Sequence, residues 1–373
     1  MNAVVLLSLL FVCTFLHVFV PSVKAIGTIY IRNDGSIDPP NVPIINDANS
    51  TYTLSDDILA DADGIIVERD SIVIDGNGHT LEGPRMPDRG GPLYEGICLT
   101  GRINVTVRNM QVTGFHRGFG LLSCLDISIH RNIIISNRYM EGIRFFNSSD
   151  SSIIGNFISS NWYGIWLMSS SNGNRIADNN ITANHYEGIR LFSCSNNNIV
   201  GNRVIGNSRD GIWLYYLSNC NIVTGNTIEA NRGFGMYVLG SSGNMINHNN
   251  LIENYQQVLT DELTNCWDNG FEGNYWSDYD GSDSNEDGLG DTSYTINGSN
   301  KDSYPLVSPF MPYDVNHDAQ VDIADVAKIA GAFGKTSANQ DWNPTLDVNE
   351  DNVIDVFDLV TTALSFGKHW NQP

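Results

Sequence analysis

Short apolar runs of about four residues, set apart by Asn, Ser and Gly, recur along the middle of this chain with two periods at once. Within a run the side chains alternate, as in Gly142-Ile143-Arg144-Phe145-Phe146, then Ser152-Ile153-Ile154 and Asn156-Phe157-Ile158. Alternation of that kind marks a strand with one face inside. Between runs, the phrase Asn-x-apolar-x-x-Asn begins at Asn132, Asn156, Asn179, Asn202, Asn226 and Asn249, with a partial copy at Asn109, so successive copies lie 23 or 24 residues apart. The closing asparagines Asn137, Asn161, Asn184, Asn207, Asn231 and Asn254 keep the same spacing, and so nearly do Gly120, Gly142, Gly164, Gly188, Gly211 and Gly235. Helical repeats of the common kinds run past about thirty residues, and leucine-rich repeats need leucines at offsets that are missing here. The pattern therefore predicts an all-β body, a right-handed parallel β-helix solenoid. Each period is one coil of two or three short strands, and coils stack at ~4.8 Å to seal a shared core. Asparagine suits the corners because it tolerates a left-handed backbone and because stacked amides can bond from coil to coil.

The first coil is expected near Gly64, and the β-helix over residues 64–255, with a Pro- and Gly-rich insertion from Pro84 to Tyr94. About eight coils give a rod of roughly 40 Å. An open stack needs its ends covered, so residues 26–63 and 256–312 are expected to be caps. Residues 1–25 hold an apolar run from Val4 to Val20 and then Val23-Lys24-Ala25, which reads as a cleaved export signal or, since no basic residue precedes the run, as a retained anchor.

Charge narrows the partners. The formal net charge of -22 disfavours nucleic acid and anionic membrane surfaces and favours cations. Five cysteines after residue 25, Cys98, Cys124, Cys194, Cys220 and Cys266, have no paired spacing and read as small buried hydrophobes, not a disulfide frame.

Alternation also identifies an outward face. After each glycine of the ladder the third position runs Leu122, Arg144, Trp166, Arg190, Trp213, Tyr237, and the fifth runs Phe146, Met168, Phe192, Tyr215, Leu239. A solvated sheet face carries Thr, Lys and Glu; this one alternates guanidinium with indole, so something covers it. Aromatic planes stack on sugar rings and arginine forks hold carboxylates, which makes Arg144, Trp166, Arg190, Trp213 and Tyr237 the candidate ligand-binding set for an extended acidic polysaccharide. A capping loop or a neighbouring molecule packed on the face is the plainer alternative. At the rim, Glu141, Glu187 and Asp210 are candidate catalytic carboxylates, since adjacent coils bring Glu187 and Asp210 to ~5 Å at the backbone and glycosidases work with carboxyl pairs at comparable spacing.

The last sixty or so residues change character. Asp314, Asn316, Asp318, Asp322 and Asp325 place oxygens at positions 1, 3, 5, 9 and 12 of a loop, with the Gln320 carbonyl at position 7. Asp347, Asn349, Asp351, Val353, Asp355 and Asp358 repeat the arrangement. Calcium (Ca2+) takes six to eight hard oxygens, and this spacing wraps a loop around one ion. Each loop leads into an amphipathic helix, expected over Ile323 to Phe333 and Val356 to Phe366, and Val321 and Ile354 are placed to pair between the loops. A shorter match, Asp283, Asn285, Asp287 and Asp291, is a further candidate calcium loop in the cap.

Two resemblances follow from these motifs. Residues from Tyr52 to Leu306 resemble the parallel β-helix repeat proteins of the NosD and carbohydrate-binding and sugar-hydrolysis (CASH) type. The likeness rests on Ile72-Val73-Ile74-Asp75-Gly76-Asn77-Gly78-His79-Thr80-Leu81, on the Gly-Ile and Asn ladders, and on Gly273-Asn274-Tyr275-Trp276-Ser277-Asp278-Tyr279 and Asp302-Ser303-Tyr304-Pro305-Leu306. The copper role that the NosD name implies asks for converging His, Met or Cys, whereas His79, His116, His130, His185 and His248 fall at different offsets. Asp314 to about Lys368 resembles a type I dockerin, which implies docking to a cohesin-like protein. It departs from that pattern at position 6, where Ala319 and Asn352 replace glycine, and at the helix starts, Ile323-Ala324 and Val356-Phe357. Together these readings imply a secreted or cell-surface carbohydrate-binding protein with a calcium-dependent docking module. A polysaccharide hydrolase, lyase or epimerase on the same frame, and a structural envelope protein, are the alternatives.

Overall fold

The structure, a computed structural model, describes residues 26–84, 92–349 and 351–370; the expected export signal and most of the Pro84 to Tyr94 insertion lie outside them. Three long sheets run side by side along one axis, and each coil contributes a strand to each sheet in turn. One coil, for example, lays Ile189–Phe192 in the first sheet, Asn198–Val200 in the second and Arg203–Ile205 in the third. Pairing between coils is parallel and in register, Ile165 with Ile189 with Ile212. The inward row of every sheet is apolar and sealed: Ile143, Phe145, Ile165, Leu167, Ile189, Leu191, Ile212 and Leu214 are all fully buried.

Parallel stacking starts earlier than the repeat phrase suggests. Ile29–Ile31 pairs in parallel with Ile65–Val67, Thr51–Leu54 with Ile72–Asp75, and Ile58–Leu59 with Thr80–Glu82. The segment expected as a cap thus supplies strands to all three sheets, and only Ile37–Asp38 and Ile44–Asp47 fold back antiparallel over the end. The third sheet reaches ten strands.

Asparagine ladders fix the register at every corner. The Asn202 N–H and its Nδ2 both donate to Asn226 Oδ1 at 2.9 Å, while Asn202 Oδ1 accepts the Asn179 N–H and Nδ2 at 3.0 and 2.9 Å. Its Nδ2 also donates to the Ile176 carbonyl at 2.8 Å, so a fully buried amide has every group satisfied. The closing asparagines repeat this from Asn137 to Asn254. A third ladder, Asn174, Asn197, Asn221, Asn244 and Asn265, lines the corner before the second sheet.

Except at Thr264 before Asn265, the left-handed turn falls on the residue before these asparagines and not on the asparagine: Asp178 has φ 55° and Ala183 φ 52°. The ladder asparagine is spared that conformation because its amide is committed to the stack. Gly142 is needed for a different reason: a Cβ there would stand 2.8 Å from the Gly164 carbonyl oxygen and 2.9 Å from Asn161 Nδ2. In the next coil down, the glycine in that register is Gly118, against whose Cβ position the Gly142 carbonyl lies, so the expected frame through Gly120 slips by two residues. Gly120 pairs with Arg144, and Leu122 pairs with Phe146, which moves Leu122 into the fifth-position row.

The C-terminal end is closed by polar terminators over an aromatic plug. Asn300 Oδ1 accepts the Asn265 N–H and the Trp267 indole, each at 3.0 Å, and the buried Asp302 accepts from Asn274 N and Trp276 Nε1 at 2.7 and 2.8 Å. The Tyr294 ring stacks on Trp276 at 4.2 Å.

Beyond the plug are two eight-residue helices, α1 (Ile323–Ala330) and α2 (Val356–Ala363), each shorter than expected by three residues. In both, a capping box, Asp322 with Asp325 and Asp355 with Asp358, sets the start. Val321 and Ile354 are buried but do not pair with each other. Each bonds to the segment after the other loop's helix, Val321 to Gly367 and Lys368, and Ile354 to Gly334 and Lys335. The module touches the β-helix end through Glu272, whose carboxylate takes His248 Nε2 at 2.9 Å and His317 Nε2 at 3.0 Å; these two imidazoles hold its pKa down at about 2. The five cysteines are free, and only Cys124 and Cys194 are buried; Cys220 and Cys266 are exposed, contrary to the expectation of buried hydrophobes.

If the ladders carry the stacking, Asn202→Ala leaves the Asn179 N–H unpaired inside and strips Asn179 Nδ2 of its coil-to-coil acceptor, which costs roughly 2–4 kcal/mol. Urea unfolding measures it, and a loss below about 0.5 kcal/mol, the range of ordinary surface changes, contradicts the role given to the ladder.

Candidate functional site

The outward row of the first sheet stands where alternation places it. Arg144, Trp166, Arg190, Trp213 and Tyr237 are consecutive partners across five strands, all half-buried. In-register stacking puts the Arg190 guanidinium between two indoles. The Arg190 Cζ lies 4.3 Å from the Trp166 ring centre and 4.1 Å from that of Trp213, and Tyr237 meets Trp213 edge-on at 5.2 Å. A desolvated cation between two indoles is held by cation–π attraction of about 2 kcal/mol or more, so Arg190 has both faces occupied and only its edge to offer. The Nε atoms of Arg144 and Arg190 and the indole Nε1 atoms of Trp166 and Trp213 are buried without hydrogen-bond partners. Five half-buried planar groups with unspent donors form a rigid, partly dry surface rather than a solvated sheet face.

Behind this row, at the strand starts, the first-sheet register continues as Glu95, Arg117, Glu141, Tyr163, Glu187 and Asp210. These carboxylates were expected at an exposed rim; the structure buries Glu141, Glu187 and Asp210, because the corner from the third sheet folds over them. Glu141 is tied to Arg117 Nε at 2.6 Å, and Arg117 also grips Glu95. Its partner therefore lies in the preceding coil and is not Arg144, three residues on.

Glu187 is different. It is 0% exposed, neither carboxyl oxygen has a hydrogen bond, and its nearest cations are Arg209 Nη1 at 3.3 Å and Arg190 Nη1 at 3.9 Å. Burial pushes its pKa up, and the two arginines pull back only part of the way. Asp210, in register on the next coil, is also raised by burial, and its Oδ1 accepts the Phe234 N–H at 2.8 Å.

A cleft of about 360 Å3 opens at Asp210, lined by Arg209, Asp210, Trp213, Arg232, Tyr237 and Tyr255 among others. It joins three sequence-predicted residues, Asp210, Trp213 and Tyr237, to three that the strand pattern did not single out. Arg209, Arg232 and Tyr255 sit on the corner just after closing asparagines. The position after each closing asparagine, which reads Arg138, Trp162, His185, Ser208, Arg232 and Tyr255, finds Arg232 and Tyr255, whereas Arg209 stands one residue further on and carries no such signal.

The acidic loops share one local geometry. Asp314 accepts from the N–H of Asp318 at 3.2 Å and of Ala319 at 2.9 Å, and Asp347 accepts from Asp351 at 3.2 Å and Asn352 at 2.8 Å. The third loop repeats it, with Asp283 taking Asp287 and Gly288 at 3.2 and 2.9 Å. Position 6 is left-handed in all three, φ 67° at Ala319, 70° at Asn352 and 90° at Gly288. Asn316 bonds Asp318, Asn349 bonds Asp351, and Asn285 bonds Asp287 in the same way.

Asp325 and Asp358, both fully buried, fold back on the N–H groups of Asn316 and Asp322 and of Asn349 and Asp355. Asp291 does not follow them; it is held by Ser282 and Ser284. Burial pushes Asp314 up to about 6 and raises Asp347 as well. The Gln320 and Val353 backbones lie at the strand-like edge leading to Val321 and Ile354. Among the described residues, no three His, Cys, Asp or Glu side chains are already gathered around one point at metal distance.

The family model described as Periplasmic copper-binding protein (NosD) matches residues 71–281, more than half of the 373-residue chain. No curated protein matches. Solved structures share the β-helix at low identity. The A-module of the Azotobacter vinelandii mannuronan C-5 epimerase AlgE4 is 17% identical over 63% of this chain and 71% of that one, with TM-score 0.46. A variant of the periplasmic alginate epimerase AlgG is 18% identical over 56% and 66%, just under two thirds of its length, with TM-score 0.40. Pectate lyase Pel9A is 16% identical over 59% and 70%, with TM-score 0.38.

A raised carboxyl binds its proton more tightly folded than unfolded, so what it adds to stability is present below the ordinary value of 4.5 and is lost as pH rises through the folded value. Glu187→Gln, which fixes the neutral form, is therefore expected to raise the melting temperature at pH 7, with the gain shrinking as pH falls from the raised folded value towards 4.5 and gone below it. Calorimetry across that window checks it, and a lower melting temperature at pH 7 means that the arginines outweigh burial.

Proposed function

The chain belongs to the NosD family, and from that premise we propose that it is an exported β-helix protein which holds an extended acidic polysaccharide across its first sheet. One observation carries the reading: Arg190 fixed between Trp166 and Trp213, next to a cleft that brings Arg209 and Arg232 to Tyr237 and Tyr255. Flat aromatic faces suit pyranose rings, and the two cleft arginines have guanidinium forks for uronate carboxylates. The site is pre-built, because every member stands on a strand or corner locked by its ladder, so little ordering cost opposes binding.

Copper enters through the family's description alone. Among the described residues the histidines do not supply a converging set of three: His116 and His185 lie on one corner but three coil positions apart, His79 and His130 lie elsewhere, and His248 and His317 have their Nε2 atoms committed to Glu272. No step of the reading passes through copper.

A second reading, cleavage or epimerisation of the bound chain, is favoured by Glu187. A carboxyl with no hydrogen bond and a raised pKa, one coil from Asp210, has the character of a general acid. Glu141 drops out of that role because its carboxylate is engaged by Arg117 Nε at 2.6 Å in a buried pair.

For the C-terminal module we propose calcium binding and docking to a cohesin-like protein. Four buried carboxylates, Asp314, Asp325, Asp347 and Asp358, accept only backbone N–H groups of their own loops, and buried acids on that spacing are the kind that a hard cation pairs. The oxygens offered are those of Asp314, Asn316, Asp318, Gln320, Asp322 and Asp325, and of Asp347, Asn349, Asp351, Val353, Asp355 and Asp358. Ile323 and Phe357 on the helices that follow, and Leu364 just past the second, are exposed, the apolar surface a partner would cover.

Three measurements test these proposals. Polygalacturonate titrated into the full chain is expected to bind, with Trp213→Ala weakening it by roughly tenfold or more and Arg209→Ala with Arg232→Ala abolishing it; unchanged affinity in both variants removes the site. Product analysis on the same mixtures, wild type against Glu187→Gln, separates binding from cleavage. Chelation is expected to lower the melting temperature of the C-terminal module, with Asp325→Ala and Asp358→Ala already at the chelated value; a calcium-independent melt contradicts the loop assignment.

A further inference from the structure

Near the N-terminal end of the rod a second cavity, of about 780 Å3, opens at the same corner as the cleft but on its third-sheet side. Its floor is the outward row of that sheet, where Thr80 pairs with Gln111 and Glu82 with Thr113. Its wall is the corner itself, His116, Arg138 and Tyr139. His116 is 2% exposed. Its Nδ1 accepts the Tyr94 N–H at 3.1 Å, which leaves the proton of the neutral ring on Nε2, and Nε2 has no partner. Burial holds the ring neutral by lowering its pKa. Buried donors are nearly always paired, so an unpaired one in the wall of a cavity marks a place for a ligand oxygen.

The corner between cavity and cleft is itself built for contact. Trp162 and Tyr186 lie 4.9 Å apart between ring centres, and the Arg209 Cζ stands 5.4 Å from the Tyr186 ring. The basic groups exposed along it are Arg138, Arg209 and Arg232, while the acids of the same strand starts, Glu141, Glu187 and Asp210, are buried behind them and Asp57 and Glu82 lie on the third-sheet side of the cavity. On a chain of net charge -22 this is a strip of the opposite sign, floored with aromatic rings. From Arg138 to Tyr255 it spans five coil spacings, about 24 Å.

We infer that the cavity at His116, Arg138 and Tyr139 is a second saccharide subsite, which takes the far end of the same acidic chain whose other end lies in the Arg209 and Arg232 cleft. The inference rests on the polysaccharide reading above. Arg138 supplies a fork for a uronate carboxylate, the Tyr139 ring a platform for a pyranose face, and His116 Nε2 a donor to a hydroxyl or bridging oxygen.

Calorimetry on the full chain with two oligogalacturonates, one sized to the cleft and one longer than about 24 Å, tests it. The long chain is expected to bind at least roughly tenfold tighter than the short one, and Arg138→Glu, a change at an exposed side chain, is expected to remove that advantage while leaving the short chain's affinity as it was. Equal affinities for the two lengths, or an advantage that survives both Arg138→Glu and His116→Phe, overturns the subsite and leaves the cleft standing. If neither oligosaccharide binds, the polysaccharide reading falls and the subsite with it. An oligothymidylate of matching length that binds as tightly at the same salt makes the corner a general polyanion strip and overturns the saccharide assignment.

Discussion

Everything in this molecule depends on one coil lying over the next without slippage, and the interaction that enforces it is the amide-to-amide bond between stacked asparagines. Parallel strands of three or four residues have few backbone bonds each and could shift. A buried asparagine whose oxygen takes both the N–H and the Nδ2 of the coil before it has a single satisfied position. With three such ladders, one per corner, a slip of one residue would break buried amides in every coil and would also turn the apolar rows outward.

Register, once fixed, makes chemistry out of repetition. A solvent-facing arginine finds the same guanidinium plane opposite an indole on both sides only because Trp166, Arg190 and Trp213 occupy one position in three coils. The same logic gathers acids, and there the corner decides their fate. Glu141 meets Arg117 and becomes structural, whereas Glu187 meets arginines at 3.3 and 3.9 Å and stays short of a hydrogen bond. Two glutamates of one ladder thus differ in availability because of what the adjacent coil happens to carry. The ends follow from the same rule: a ladder must stop on a group that accepts without needing a successor, which Asn300 and Asp302 do while also seating Trp267 and Trp276.

The repeat was legible because its period is written in Asn and Gly, and the inward rows could be assigned residue by residue. What escaped did so for local reasons. The third asparagine ladder is interrupted by Ser151 at its start and flanked by variable loops, so its spacing does not stand out. The coil holding Gly118 and Gly120 offers two glycines, and alternation alone cannot tell which one faces the next carbonyl, so Leu122 was assigned to the wrong row. N-terminal coils made of Ile, Tyr and Thr stack as well as the rest but lack the asparagine phrase. Burial of Glu187 and Asp210 belongs to the path of the corner, which strand periodicity does not describe. Arg209 and Arg232 came to the site by the same path. The helices end early because both expected spans ran on into the turns at Gly334 and Gly367, where the chain crosses to pair with the other loop.

The central claim is that the ladder-fixed outward row and its cleft form a surface for an acidic glycan. The most direct measurement is a crystal structure of the full chain soaked with an oligogalacturonate. The account predicts sugar density over Trp213 and Tyr237, with a carboxylate within hydrogen-bond distance of Arg209 or Arg232. Density elsewhere on the rod at saturating ligand, with that cleft filled by water, contradicts it.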